Sequence, residues 1–417
     1  MRKPIQLKIR TPLWTGDIDS KSYLLQSSGI IGSLRWWTEV ILRGMGKFAC
    51  DPVGDDRCPK ERRADSKKIN LYCLACLIFG ATGTRRLFRL ELNGGRKVFD
   101  GGLLNIRPDG RNRGWYLGSG LVGDIELNIV PLNSDFNKSL ILLPLTIAAK
   151  WGGIGAKTQH GYGVVELENY PEVSFGDFKS AIENIEKKER LKSLNCENYE
   201  LRTGNNSGLP NLREMFFAKI QFEAEDVWWK EVDGIRPDNQ RNYRGYKNDR
   251  RMIQWIESFS VPIAPAIKNW FRFGHEITTN QRKKIQVSPF REISNKRISN
   301  WLFGNSEENT KTASKINISC AYPVEGNLWE FRIWGWIPAS ENPDGFDRNN
   351  FLNAFKQALN ENGATTIPWT QLFGEQTKNH KLKVWREFNS PRDTVKQNET
   401  NIDEYINSLF KNEGGAQ

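Results

Sequence analysis

At 417 residues the chain exceeds the usual size of one domain and predicts two units of about 150 to 200 residues, each able to bury its own core. Lys plus Arg number 60 against 49 Asp plus Glu, a net charge of +11, which favours a polyanionic partner such as nucleic acid; the competing reading is a basic but merely soluble surface. The opening MRKPIQLKIRTPLW never builds the uncharged core of a secretory signal, and the longest apolar run, LILLPLTIAA (140–149), is too short for a bilayer and holds Pro144, so a cytoplasmic protein without a membrane partner is expected.

QLKIRTPLW (6–14) alternates and predicts a strand. SGIIGSLRWWTEVILRGM (28–45) sets Ile31, Leu34, Val40 and Ile41 at near-helical spacing, with Ser28 as candidate N-cap. Four of the six cysteines then follow as C-x7-C-x14-C-x2-C: Cys50, Cys58, Cys73 and Cys76. The last pair has the spacing that turns two sulfurs toward one tetrahedral ion, and a reducing compartment favours zinc over disulfides; four ordinary thiols are the alternative. Four thiolates leave no open position, so such a zinc would be structural. Cys196 and Cys320 stand alone and read as packing residues.

Strands are predicted at RLFRLELN (86–93), GDIELNIVPL (123–132) and GYGVVELE (161–168), with a helix at KSLILLPLTIAAKWG before the last. Strand, helix, strands, helix, strand is an α+β plan of the ferredoxin-like type. FKSAIENIEKKERLKSL (178–194) is a charged helix, RTGNNSGLPN (202–211) a linker, and FFAKIQFEAE (216–225) opens a second cycle. The division is thus 1–170 with a cysteine insertion at about 48–77, a helix and linker at 171–210, and 211–417. The halves echo one another: GSLRWW (32–37) against PAIKNW (265–270), and LIFGATG (77–83) against WLFGNSE (301–307), which suggests duplication or a chance likeness of short motifs.

GGIGAKTQHGYG (152–163) holds five glycines and one of the chain's three histidines. It fails as a P-loop because Ala156 and Trp151 stand where G-x-x-x-x-G-K-[ST] requires glycine. GSGLVG (118–123) satisfies G-x-G-x-x-G but leads into an alternating strand where the dinucleotide fingerprint needs a helix. What remains is a loop whose glycines permit close backbone approach, or a hairpin in which they serve geometry alone. On the first reading, amides of Gly152, Gly153, Gly155, Gly161 and Gly163, with Lys150, Lys157, Thr158, Gln159, His160 and Tyr162, meet phosphates and riboses. HGYGVVEL half-matches an RNA-recognition signature but lacks its later aromatics, so base stacking on that strand is not expected.

TPLWTG, SGIIGSLRWW, the cysteine pairs ending in CLACLIFGATG, and GGIGAKTQHGYG together resemble the first RAMP (repeat-associated mysterious protein) subunit of the type III-B CRISPR Cmr effector, most closely over the N-terminal 170 residues. The resemblance implies two ferredoxin-like, RRM-related RAMP domains. It also implies a non-catalytic RNA-binding subunit at the head of the complex, which holds guide crRNA and captures target RNA in antiviral defence beside other RAMP subunits, with no small-molecule substrate. It carries the glycine loop, Arg35 and Trp36 over as RNA contacts. Segments that mix cations with aromatics add Arg85 and Arg86, then Arg107, Arg111 and Arg113 on a hairpin taken as exposed, then Arg241 and Arg244, and Lys268 of the PAIKNW echo. An endoribonuclease would most simply use histidine, and His160, His275 and His380 are scattered; a scaffold with incidental charge is the third reading.

Overall fold

The structure is a computed structural model describing residues 4–410 apart from 18, 20, 65–66, 112, 135, 170–172, 195–198, 238–243, 247, 279–283, 288–289, 291–294, 306–310 and 361–365. Arg241 and Cys196 therefore lie outside the described residues. The first half runs β1 (Ile5–Ile9), α1 (Ser27–Gly44), β2 (Phe88–Lys97), β3 (Leu121–Pro131), α2 (Ser139–Trp151) and β4 (Val165–Asn169). Its strands form an antiparallel sheet in the order β2-β3-β1-β4. Alternation sets the faces: Ile5, Leu7 and Ile9 are buried on one side of β1, and Leu7 stands opposite Ile125 and Leu167.

The second half runs β5 (Met215–Ala224), α3 (Ala264–Phe273), β6 (Ile316–Ile318), β7 (Leu328–Trp336), α4 (Arg348–Ala358) and β8 (Thr377–Glu387), closed by α5 (Ile402–Phe410). Its path is β6-β7-β5-β8, again antiparallel, so the two sheets have the same order and the same places for their helices. The Phe-Gly echoes also match in role. Gly80 (φ +86°) ends the helix Leu74–Phe79 and Gly304 (φ +82°) ends Lys296–Phe303, each in a backbone region glycine enters freely.

Packing crosses between the halves. The core beneath the first sheet takes in Leu212, Phe217, Trp334 and Tyr405, and the second core takes in Trp14, Phe99, Ile106 and Tyr162. The segment expected as a linker is pinned: Asn206 Nδ2 donates to the Lys47 carbonyl at 2.8 Å, and Arg213 Nε to that of Gly44 at 2.6 Å. Ser28 lies inside α1 rather than capping it; the cap is Gln26, whose amide donates to Thr15 Oγ1 at 3.1 Å. The third expected strand begins at Val165, later than its alternation implied, because Gly163 N and Val164 N are drawn to Pro12 O and Thr11 Oγ1. Among the described residues no helix is long and apolar enough to cross a membrane.

Candidate nucleic-acid interface

The four clustered cysteines come together as the sequence spacing implied. The hairpin Lys60–Ala64 with Lys67–Tyr72 folds the intervening chain back, and all four Sγ atoms lie buried within 4.8 Å of one another. Cys50 Sγ is 3.6 Å from Cys76 Sγ and 3.7 Å from Cys73 Sγ. A tetrahedral ion about 2.3 Å from each sulfur sets sulfurs about 3.8 Å apart, so the donor set fits a metal ion. Arginines ring the cluster. Arg35 Nη2 reaches Cys76 Sγ at 3.1 Å, Nη1 the Gly80 carbonyl at 3.1 Å and Nε Glu39 at 2.8 Å, while Arg43 Nη2 donates to the Cys50 carbonyl at 2.9 Å and Arg202 Nη1 lies 3.8 Å from Cys58 Sγ. Against the pull of burial, Cys76 and Glu39 hold Arg35 above its ordinary range. A divalent ion with four thiolates keeps two negative charges, which these guanidinium groups offset. Arg35, expected at RNA, is thus engaged by the cysteine site.

The glycine loop packs inward. A side chain at Gly152 would sit 2.5 Å from Trp37 Cζ2, and Gly161 (φ +104°) lies so close to Cys320 that a Cβ would approach its Sγ to 2.7 Å. Gly152, Gly153, Gly161 and Gly163 are buried and Gly155 is half-buried. Their neighbours are tied in turn: Ile154 N to Gly163 O, Ala156 N to Trp14 O, and Cys320 N to Gly161 O. Tyr162 is fully buried between Trp14 and Trp255 and donates its hydroxyl to Gly118 O at 2.7 Å. Lys157 adopts φ +58° and lays its ammonium 3.3 Å from the Trp14 ring centre, and Lys150 donates to the Phe410 carbonyl. The loop's main job is geometric, because close helix–sheet packing leaves no room for side chains there.

Its outer edge nevertheless walls an open cavity of about 680 Å³ between the halves. Gly155, Thr158 and Gln159 line one side and Gly32, Ser33 and Trp36 of α1 another, while Trp301, Ser314, Lys315, Asn317 and Trp336 come from the second half. Of the chain's 15 tryptophans, Trp36, Trp301 and Trp336 are only half-buried here, with Trp115 and Trp329 half-buried elsewhere. Lys315 Nζ stands 4.8 Å from the Trp301 ring and 4.3 Å from that of Trp336, and burial lowers its pKa. Thr158 Oγ1 meets Asn317 Oδ1 at 3.0 Å. Sequence reasoning noted Trp301 only as an echo and missed Lys315, Asn317 and Trp336. The period-2 pair Trp334 and Trp336 was a readable signal, since alternate residues of a strand share a face.

The remaining expected contacts are dispersed, and none lines the cavity. Arg85, Arg86, Arg113 and Arg244 are exposed, and Arg107 and Arg111 half-buried. Their hairpin is not free: Leu104, Ile106 and Leu117 sit in the second core, and Asp109 of its turn pairs with Arg236 at 2.7 Å. Lys268 is buried, with Nζ 2.8 Å from Ser314 Oγ. His160 lies edge-on to Trp115 at 5.3 Å, and burial, reinforced by Lys268 and Lys157, pushes it down to about 4.

Residues 6–166 match the model of the RAMP superfamily. Among solved structures the chain is similar to Cmr1 from Pyrococcus furiosus in its apo form, at 12% identity over 82% of this chain and 89% of that one, with a TM-score of 0.34. It is similar as well to a chain of the type III-B Cmr-beta complex bound to cognate target RNA, at 12% identity over 85% and 98%, and to one of that complex with AMPPnP in the presence of ssDNA, at 13% over 84% and 97%, each with a TM-score of 0.34. A search of curated proteins finds no match.

Proposed function

We propose that this chain is an RNA-binding, non-nucleolytic RAMP subunit of a type III-B CRISPR effector, placed at the head of the complex to hold guide crRNA and capture target RNA beside other RAMP subunits. The observation that carries the reading is the cavity. In a chain of net charge +11, half-exposed indoles flank Lys315 in one recess, with Thr158, Gln159 and Asn317 at its wall. Unpaired bases stack on aromatic faces for roughly 1 to 3 kcal/mol each, and amide and hydroxyl groups read base edges and riboses. The shared strand order of the two sheets supports two ferredoxin-like units at 1–170 and 211–417. We assign zinc to the cysteine cluster, in a structural role, because thiolates select it and all four positions are filled.

Two histidines speak against cleavage. His160 is held near 4, and His380, stacked 4.7 Å from Trp369, is also pushed down to about 4 by burial, so both are weak bases at neutral pH. Gly32 offers the test. It faces the cavity with nothing within 4 Å of where a Cβ would stand, so Gly32→Trp should fill the recess without disturbing α1. Single-stranded RNA should bind the wild type with steep salt dependence and the variant about ten-fold more weakly or worse, at equal thermal stability. Unchanged affinity in the variant removes the cavity from the interface, and RNA fragments released by the purified wild type overturn the non-nucleolytic part.

A further inference from the structure

Next to the cavity lies a group of cations without counter-charge among the described residues. Lys268 is 1% exposed, donates to Ser314 Oγ at 2.8 Å, and lies 5.5 Å from the Trp115 ring centre, whose other neighbour is the His160 ring. His160 Nδ1 is buried without a hydrogen-bond partner. Arg272, one turn beyond Lys268 on α3, donates Nη2 to Asn300 Oδ1 at 2.8 Å, and its buried Nε has no partner. The guanidinium groups of Arg272 and Arg111 both lie against Phe273, at 5.2 and 3.8 Å from its ring centre. Among the described residues no carboxylate forms an ion pair with Lys268, Arg272 or Arg111; Asp109, two positions from Arg111, is taken by Arg236.

Burying cations without partners is costly, and these groups show it. Burial and then Arg272 bring Lys268 down to about 7, while burial and then Arg111 lower Arg272. An anion in their midst relieves both desolvation and mutual repulsion. The donors left over are those a tetrahedral oxyanion uses: spare ammonium protons, guanidinium N–H groups and an imidazole nitrogen.

We propose that Lys268, Arg272, Arg111 and His160 form a phosphate-binding site that receives one phosphodiester of the RNA strand whose bases enter the adjoining cavity. Ser314 joins the two, since it lines the cavity and accepts from Lys268. The strand assignment rests on the RNA-binding reading given above; the affinity for phosphate does not.

Lys268→Met in the full chain tests it, because the substitution keeps the stem and removes the charge. Melting temperatures are taken with and without inorganic phosphate at constant ionic strength, and single-stranded RNA binding is measured across a salt series. Without phosphate the variant should be at least as stable as the wild type, since an uncompensated buried cation is gone. Phosphate should raise the melting temperature of the wild type alone. The variant should bind RNA about ten-fold more weakly, with a log–log salt slope shallower by about 0.7, the value for one phosphate contact on a single strand. Equal phosphate response in both proteins, or none in either, overturns the site, as does a variant that melts lower with unchanged phosphate response. RNA binding as tight in the variant as in the wild type removes the strand from the site and leaves the functional reading intact. A wild type that responds to phosphate but binds no RNA does the reverse. Arg272→Met, at the half-exposed edge, repeats the measurement should the buried substitution prevent folding.

Discussion

Arg35 and Lys268 stand at matching points of the echoing segments GSLRWW and PAIKNW, each on the helix between the first two strands of its sheet, yet their surroundings are opposite. Arg35 is saturated by Glu39, the Gly80 carbonyl and Cys76. Lys268 has Ser314 and the ring of Trp115, with a further cation in Arg272. A buried cation whose partners are all present holds structure together. One that lacks them raises the energy of the free protein, and a ligand can lower it.

That contrast is open to breaking at several points. The largest effect belongs to the cysteine cluster: Cys73→Ala, or exhaustive chelation, should cost on the order of 10 °C in melting temperature or yield insoluble protein, since metal-binding energy at such a site is folding energy. Calorimetry with elemental analysis checks both, and a metal-free preparation of unaltered stability would refute zinc. Arg35→Leu comes next, at about 3 kcal/mol of destabilisation by chemical denaturation, because it removes the nearer of the two arginines that pair with buried Glu39 and leaves only Arg43, at 3.6 Å. Lys268→Met should show no such loss, and equal penalties at the two positions would erase the distinction. Trp336→Ala should weaken RNA binding by roughly 1 to 3 kcal/mol, read by titration, if its indole carries a base.

A smaller effect separates wild type from Lys268→Met as pH changes. Lys268 is held near 7 in the folded chain and titrates near its ordinary value of about 10.4 when unfolded, so between those values the unfolded state binds the extra proton. Wild-type stability should therefore gain on the variant as pH rises from 7 to 10. Affinity for phosphate should fall over the same range as Lys268 loses its charge among His160, Arg272, Trp115 and Ser314. The smallest change is expected at Arg85→Ala with Arg86→Ala: both side chains are exposed, stability should stay within about 0.5 kcal/mol, and only the salt dependence of RNA binding should soften if the strand passes there.

Much of the first sheet was legible in the alternation of QLKI and DIELNIV, because a strand with one buried face must place an apolar residue at every second position. The clustering of Cys50, Cys58, Cys73 and Cys76 was legible for a similar reason, as ligand spacing is a local constraint. The glycine loop misled in part. Its glycines do mark close approach, but the approaching groups are Trp37 and Cys320, and no one-dimensional pattern distinguishes a packed indole from a phosphate.

Patterning along the chain was enough to predict an α+β protein with a basic balance and to point to a repeated plan and a four-cysteine cluster, because propensity, period and ligand spacing act between near neighbours. That Trp36, Trp301 and Trp336 share one recess, and that Lys268 comes to lie over Trp115 and Arg111 against Phe273, depended on how two sheets far apart in sequence close on each other. The cavity wall and the cation group are properties of that closure, since each is completed by residues from the opposite half.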